Sequence, residues 1–483
     1  MCSVLEQSAQ QHQHKHAAEN AVAISNQHAA INSNSLLSNG APKMSKHIGH
    51  CTGGVLIALA VSACSPDRLL DVRDVDVLDP RTLNTKEALP TLLAGSLSAF
   101  QIAYSGAGDL SNGGHEGVVN MSGLLTDEFI HAETFPDRQG VDVRSIAPGN
   151  GSVKGVFFDL AQARALADLT SARYNTFDQG AEGHSEVLSL SGFSYLLFAE
   201  QFCSGVPFST LTDDGVEFGQ PQSRDEILAI ALAKFDSALT FALDHENEDL
   251  ENLARVGRGR VLLNQGNFAQ AAAAVTTVPT SFAYTIQGST NSARQNNGIW
   301  NYTVNFFGFS VPDREGTNGL NWRSANDPRV PWLNTGEVGF DGETDYYMQQ
   351  EYPDKESETV LASGIEARLI EAESALQGGN ATTAFQILNT LRQSQGLSTL
   401  ATPGTAAARI DALFQERAFW LYLTAHRLGD MRRLIRQYGR TESTVFPVGE
   451  YHKGGAYGSD VNFPVSSDER NNPNFEACLD RNA

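Results

Sequence analysis

Between residues 280 and 352 the chain gathers thirteen aromatic residues, although aromatics make up only 8% of the whole. Three clusters set a flat ring beside an amide or a guanidinium: Trp300 and Tyr302 with Asn301 and Asn305, Trp322 with Asn321 and Arg323, and Trp332 with Asn334. Such rings offer apolar faces to the C–H side of a pyranose, and amides and charged groups meet its hydroxyls. Any one of these rings is equally suited to the segment's own core, so the pattern asks for at least one to be exposed, not for all. A second lip, Phe129, Phe135 and Arg138, follows Asp127 and Glu128 and offers the same chemistry from an earlier part of the chain.

Groups that would do covalent chemistry are present without the spacing that chemistry needs. Acidic residues are abundant, so a hydrolytic pair such as Asp127 with Glu343 can be drawn, but nothing singles it out. Neither Gly-x-Ser-x-Gly, a phosphate-cradling glycine loop, Cys-x-x-Cys nor His-Glu-x-x-His occurs. The run DGETDYY at 341–347 has oxygens enough for Ca²⁺ but lacks EF-hand spacing, and reads as a solvated turn. His12, His14 and His16 sit in a polar tract that reads as solvated too. No cofactor and no enzymatic activity are expected. A formal charge of −22 repels phosphate backbones, so nucleic acid is not an expected partner.

The segment VLIALAVSACSPD at 55–67 is too short to span a membrane but has the length of an export-signal core. Met44 and Lys46 supply a start and a cationic flank, so residues 44–63 read as a signal peptide and residues 1–43 as a disordered upstream extension. The sequence Val61, Ser62, Ala63, Cys64 resembles a bacterial lipobox, which makes Cys64 the expected lipid anchor and residues 64–80 a tether ahead of a body at 81–483. Two further cysteines then remain. In an oxidising compartment Cys203 and Cys478 can form a disulfide, or stand as two separate buried thiols.

The elements that must carry these groups are helical. Ser223 to Glu226 is a capping box, and Leu228, Leu232, Phe235, Leu239 and Ala242 form one apolar stripe behind it. Gly259, Gly266, Phe268 and Ala271 stand at tetratricopeptide spacing, and Ala372, Gly379, Ala381 and Ala384 repeat the frame. ERAFWLYLTAHRLGDMRRLIR fits a third time with Gly429 at the break, and VLSLSGFSYLLFAEQF reads as an arm of a fourth. Glu416, Arg417, Arg427, Asp430 and Arg433 alternate in sign at spacings that allow pairing along the helix, and Trp420 reads as core. The expected fold is mainly α, with tetratricopeptide-like hairpins separated by long irregular loop and short-strand insertions, of which 280–352 is the ligand-binding one.

The order of five segments resembles the SusD/RagB family of outer-membrane nutrient-uptake lipoproteins. They are Cys64 with SPDRLLDV behind it, GLLTDEFI, SGFSYLLFAEQFCSGVPFS, SGIEARLIEAESALQGGNATTAFQILNTLR with Arg392, and ERAFWLYLTAHRLGDMRRL leading into VFPVGEYHKGGAYGSDVNFPVSSDERNNPN. Thr424 and Ala425 stand where the family often has Glu-Gly. The resemblance implies a SusD-like fold and a surface lipoprotein that binds an oligomeric nutrient, most often a glycan. It also implies a SusC-like TonB-dependent outer-membrane transporter as partner, and loops from the early and middle regions meeting at one face. Two other readings compete: a tetratricopeptide-like protein-interaction scaffold and a glycoside hydrolase.

Overall fold

A computed structural model describes residues 83–108, 115–212 and 215–483. The expected upstream extension, the signal at 44–63, the anchor Cys64 and the tether to residue 80 lie outside the described residues. Five helices open the body: α1 (Leu89–Ser105), α2 (Val118–Leu125), α3 (Pro136–Asp142), α4 (Gly151–Phe177) and α5 (Gly183–Gln201). Every residue of α5 except Gly183 and Glu186 is buried, which is what a helix apolar on all sides must achieve. Three of its four serines are bonded, Ser189 being the exception. Ser185, Ser191 and Ser194 donate to Ala238 O, to the Asp168 carboxylate and to Leu190 O.

Helix α6 (Arg224–Asp244) starts at the expected capping box: Ser223 Oγ accepts from Glu226 N at 3.3 Å, and Glu226 Oε2 accepts from Ser223 N at 2.7 Å. Its buried line runs through Leu228, Ala231, Phe235, Ala238 and Ala242, while Leu232 and Leu239 of the expected stripe are half-buried. Small residues on that line let the neighbouring helices come close. Phe235 fills the space left by two glycines, because a Cβ on Gly192 of α5 or on Gly257 of α7 (Glu248–Asn264) would lie 2.9 or 2.2 Å from its ring.

Two of the hairpins lie where the spacing places them: α7 with α8 (Phe268–Val275), and α9 (Gly364–Gln377) with α10 (Ala381–Ser394). Gly266 and Gly379 occupy the breaks with φ of 77° and 80°, a left-handed conformation that costs a glycine little. The third hairpin, α11 (Ala406–Trp420) with α12 (Arg427–Tyr438), departs from expectation. Gly429 lies inside α12, and the chain reverses earlier, through Leu423 and Ala425 at φ of 53° and 59°. Distant groups hold that turn: Glu128 accepts from Leu423 N at 3.0 Å, and Tyr104 of α1 donates to Thr424 O at 2.9 Å.

The alternating charges of α11 and α12 also behave differently from a surface ladder. Only Asp430 with Arg433, at 2.8 Å, pairs within one helix. Arg427 reaches Asp127 at 2.7 Å, Arg417 crosses to Asp430 at 2.7 Å, and Glu416 takes Arg329 and Arg392 at 2.7 and 2.6 Å. These are buried tertiary pairs, in which loss of one partner strands the other.

Short antiparallel strands organise the insertions. β1 (Ile130–His131) pairs with β3 (Phe309–Ser310), β2 (Ala283–Ile286) with β6 (Thr359–Ser363), and β4 (Trp332–Val338) folds back on β5 (Asp345–Gln349) with Trp332 opposite Gln349. The insertion 280–352 is therefore fastened to the early chain by β1 and to α9 through β6. At the C-terminus, Phe463 and Asp480 bridge to Phe202 and Ser204 just beyond α5, and Cys203 and Cys478 form a disulfide there. Among the described residues no helix is long and apolar enough to cross a membrane.

Candidate ligand-binding cleft

Phe135 stands in extended conformation immediately before Pro136, whose fixed φ begins α3. Asn150 caps α4 by accepting from Val153 N and donates to Asp137 O at 2.7 Å, while the Asp137 carboxylate accepts from Gly151 N at 2.7 Å. These bonds tie the start of α3 to the start of α4. Together the two helix starts make one wall of an open cleft of about 820 Å³, and Arg294 and Phe306 belong to the other.

Its aromatic surface is layered. The Arg138 guanidinium lies 4.7 Å from the centre of the Phe135 ring and 4.6 Å from that of the Tyr302 ring, and Tyr302 stacks on Phe309 at 5.3 Å and 11°. Phe135, the outer layer, is 45% exposed. Phe306 is 6.1 Å from Phe135 and stacks on Phe340 at 4.5 Å, and Phe158 of α4, 64% exposed, lines the same cleft. A ring backed by a fixed cation loses little freedom when a ligand lands on it.

Below the rings, one guanidinium serves two buried carboxylates. Arg138 donates to both oxygens of Glu133, at 3.0 and 2.8 Å, and to Glu116 at 3.2 Å. Burial pushes Glu133 up to about 7 and raises Glu116 as well, against the pull of Arg138. At the rim His115 Nδ1 is 2.9 Å from Asp159, and this hydrogen bond raises the imidazole. Arg294 approaches His115 Nε2 at 3.1 Å, a contact that fits the neutral tautomer with its proton on Nδ1. The rings can stack on a polyhydroxylated ligand, and Gln162, Lys154 and Arg294 on the lining can meet its hydroxyls.

The sequence-expected residues divide sharply. Phe135 and Arg138 belong to the cleft, Phe135 as an exposed platform and Arg138 as the buried group that positions it. Tyr302 is fully buried as the inner layer of that stack, so it supports the platform and is not itself one. Trp322 is fully buried against Phe419 and Tyr422, at 5.1 Å from each, and cannot offer a face to a ligand. Phe129 is likewise core.

Trp300 is half-buried and is not among the cleft residues. Trp332 packs half-buried on Tyr347 at 5.7 Å, and exposed Asn334 accepts from Gly336 N within the hairpin. Arg323 lies over the Tyr347 ring, 3.5 Å from its centre, in a separate groove. Asp127 is buried with both oxygens on Arg427, so it offers none to an exposed Glu343. Asp341 is filled by Thr344 and by Lys453 at 2.6 Å, which turns DGETDYY into a closed turn.

Phe158, Phe306, Arg294 and the buried pair Glu116 and Glu133 were not anticipated. Only Phe158 leaves a signal: two successive phenylalanines in one helix point in different directions, and with Phe157 buried Phe158 must face outward.

No family model and no curated protein matches the chain. Solved structures do. A surface glycan-binding protein A from Bacteroides uniformis is 13% identical with a TM-score of 0.61, covering 82% of this chain and 99% of its own. A SusD-like carbohydrate-binding protein from Bacteroides fragilis gives 13%, 0.61, 81% and 99% in the same terms, and a laminarin-binding SusD-like protein gives 14%, 0.57, 81% and 99%. Identity this low speaks for the architecture alone, and the chain has the SusD-like fold.

Proposed function

We propose that this chain is a SusD/RagB-type surface lipoprotein that captures an oligosaccharide or polysaccharide and releases it, chemically unchanged, to a SusC-like TonB-dependent transporter. In this reading it is held by Cys64 on the outer face of the outer membrane. The observation that carries the reading is the cleft itself, which is open to solvent, floored by Phe135 on a fixed cation, and rimmed with amide and charged groups. The fold adds support, since proteins named for binding glycans share it. The carboxylates of the floor are engaged with Arg138, which suits a binding platform better than acid–base chemistry.

Calorimetry of the full chain against laminarin, starch, xylan and a host-type mucin glycan tests the binding. Saturable heat with at least one polysaccharide, and no shortening of that polysaccharide on prolonged incubation, is expected. Released shorter products would turn the reading towards a hydrolase, and silence across the panel with binding to peptides would turn it towards an interaction scaffold. Co-purification of a barrel transporter with the chain from detergent-solubilised outer membranes tests the partner.

A further inference from the structure

At the rim of the cleft three side chains run from a buried carboxylate to an exposed cation. Asp159 of α4 is 2% exposed, and its two oxygens lie 3.1 and 2.9 Å from His115 Nδ1. With the proton on Nδ1, Nε2 keeps its lone pair, and Arg294 Nη1 donates to it at 3.1 Å. Arg294 is exposed on the cleft lining, so the rest of its planar donor fork is open to a ligand.

The backbone builds this alignment. Ala107 N donates to His115 O and Gly108 N to Ala293 O, each at 2.9 Å, so two successive residues fasten His115 and the short turn Ala293–Gln295 to one another. Gly106 and Gly117, at φ of 83° and 77°, let the chain cross itself there, since a Cβ on Gly117 would lie 2.2 Å from Gly106 N. An arginine pinned at one nitrogen loses less freedom when a ligand meets the others.

Protonation of the histidine undoes the pin. The charged groups facing His115 are Asp159 from α4, Arg294 from the turn and neighbouring Glu116, which is bonded to Arg138. The hydrogen bond to Asp159 outweighs burial and Arg294 and raises the imidazole, so it takes up a proton on mild acidification. Nε2 then carries a hydrogen that points at a donor, and two cations stand where a hydrogen bond stood.

Resting on the reading of the cleft as a glycan site, we propose that Arg294 donates to adjacent hydroxyls of the bound sugar, that His115 and Asp159 position it, and that protonation of His115 releases it and weakens binding in acid. His115 and Asp159 act through Arg294 and need no contact with the ligand.

Two measurements on the full chain test this. The first needs no ligand: histidines are isotopically labelled at nitrogen, and His115 is assigned by its loss in His115→Gln. At about pH 8.5 it should carry its proton on Nδ1, and Arg294→Ala should raise its titration midpoint, because a cation that opposes its protonation is gone. A proton on Nε2 at that pH, or a midpoint unmoved by the substitution, overturns the proposal.

The second repeats calorimetry with laminarin, starch, xylan and the mucin glycan at about pH 8.5 and about pH 5.5. Affinity for the polysaccharide that binds should fall about tenfold towards acid. His115→Gln can still donate to Asp159 and accept from Arg294 but cannot titrate, so it should lose this fall, whereas Glu133→Gln should keep it. Arg294→Ala, on an exposed turn, should bind weakly at both. A parent affinity equal at the two pH values, or the same fall in His115→Gln, overturns this inference and leaves capture standing. No binding to any of the four at either pH overturns the capture reading, and this inference with it.

Discussion

Two buried charge clusters in this molecule differ in their arithmetic. Where α9, α11 and α12 cross, two arginines, Arg417 and Arg433, face two carboxylates, Glu373 and Asp430. Under the cleft a single arginine, Arg138, faces two, Glu116 and Glu133. At the crossing burial would raise Asp430, but its two arginines hold it well below the usual carboxylate range. In the floor burial wins, and Glu133 rises to about 7. A balanced cluster fixes geometry, whereas an unbalanced one keeps a proton-sensitive charge beneath an exposed ring.

The largest test of this contrast removes one cation from the balanced cluster. Arg433→Met leaves Glu373 and Asp430 short of a buried partner and should cost about 3–5 kcal/mol in urea unfolding. A loss below about 1 kcal/mol would mean that the balance is not what holds the crossing. Next in size is a closure that uses no charge. Cys203→Ser frees the C-terminal strap from the end of α5 and should cost about 2–4 kcal/mol, matched by the parent chain under reducing conditions.

The unbalanced cluster should show itself through pH. Glu133 has its folded value raised from 4.5 to about 7, so between those limits the folded chain holds a proton that the unfolded chain has lost. Stability from this group is complete below that window and declines as pH rises through it, by about 1–3 kcal/mol. Glu133→Gln should flatten the decline in melting temperature across this window, and an unaltered slope would contradict the assignment. The smallest effect on stability belongs to the platform. Phe135→Ala removes a ring that is 45% exposed and should change unfolding by less than about 1 kcal/mol, while weakening the proposed polysaccharide binding about tenfold.

What could be read from the sequence follows the range of the signal. The capping box at Ser223 and the glycine breaks at Gly266 and Gly379 are local patterns, and the structure has them where the spacing puts them. The third reversal is set by Glu128 and Tyr104, some 300 residues from the turn they hold, and no local pattern announces it. Charges on α11 and α12 read as a helical ladder because spacing alone shows only neighbours on the same helix, and their actual partners lie on other elements.

The aromatic insertion shows the same limit. Composition marked 280–352 as rich in rings, but which rings face water is decided by what packs over them: Trp322 lies under Phe419 and Tyr422, and Tyr302 under Arg138. Of the early lip of Phe129, Phe135 and Arg138, the structure packs Arg138 against Phe135 and buries Phe129, while the opposing wall at Arg294 and Phe306 follows from tertiary placement alone.

The proposed capture of a polysaccharide depends on which rings meet it, and affinity electrophoresis of the full chain through polysaccharide gels reads this directly. In a gel that retards the parent, the double variant Phe135→Ala, Phe158→Ala should run unretarded with an unchanged melting temperature, while Trp300→Ala, Trp332→Ala should be retarded like the parent. Full retardation of the phenylalanine variant together with free migration of the tryptophan variant would contradict it, and would move the binding surface from the cleft to the insertion.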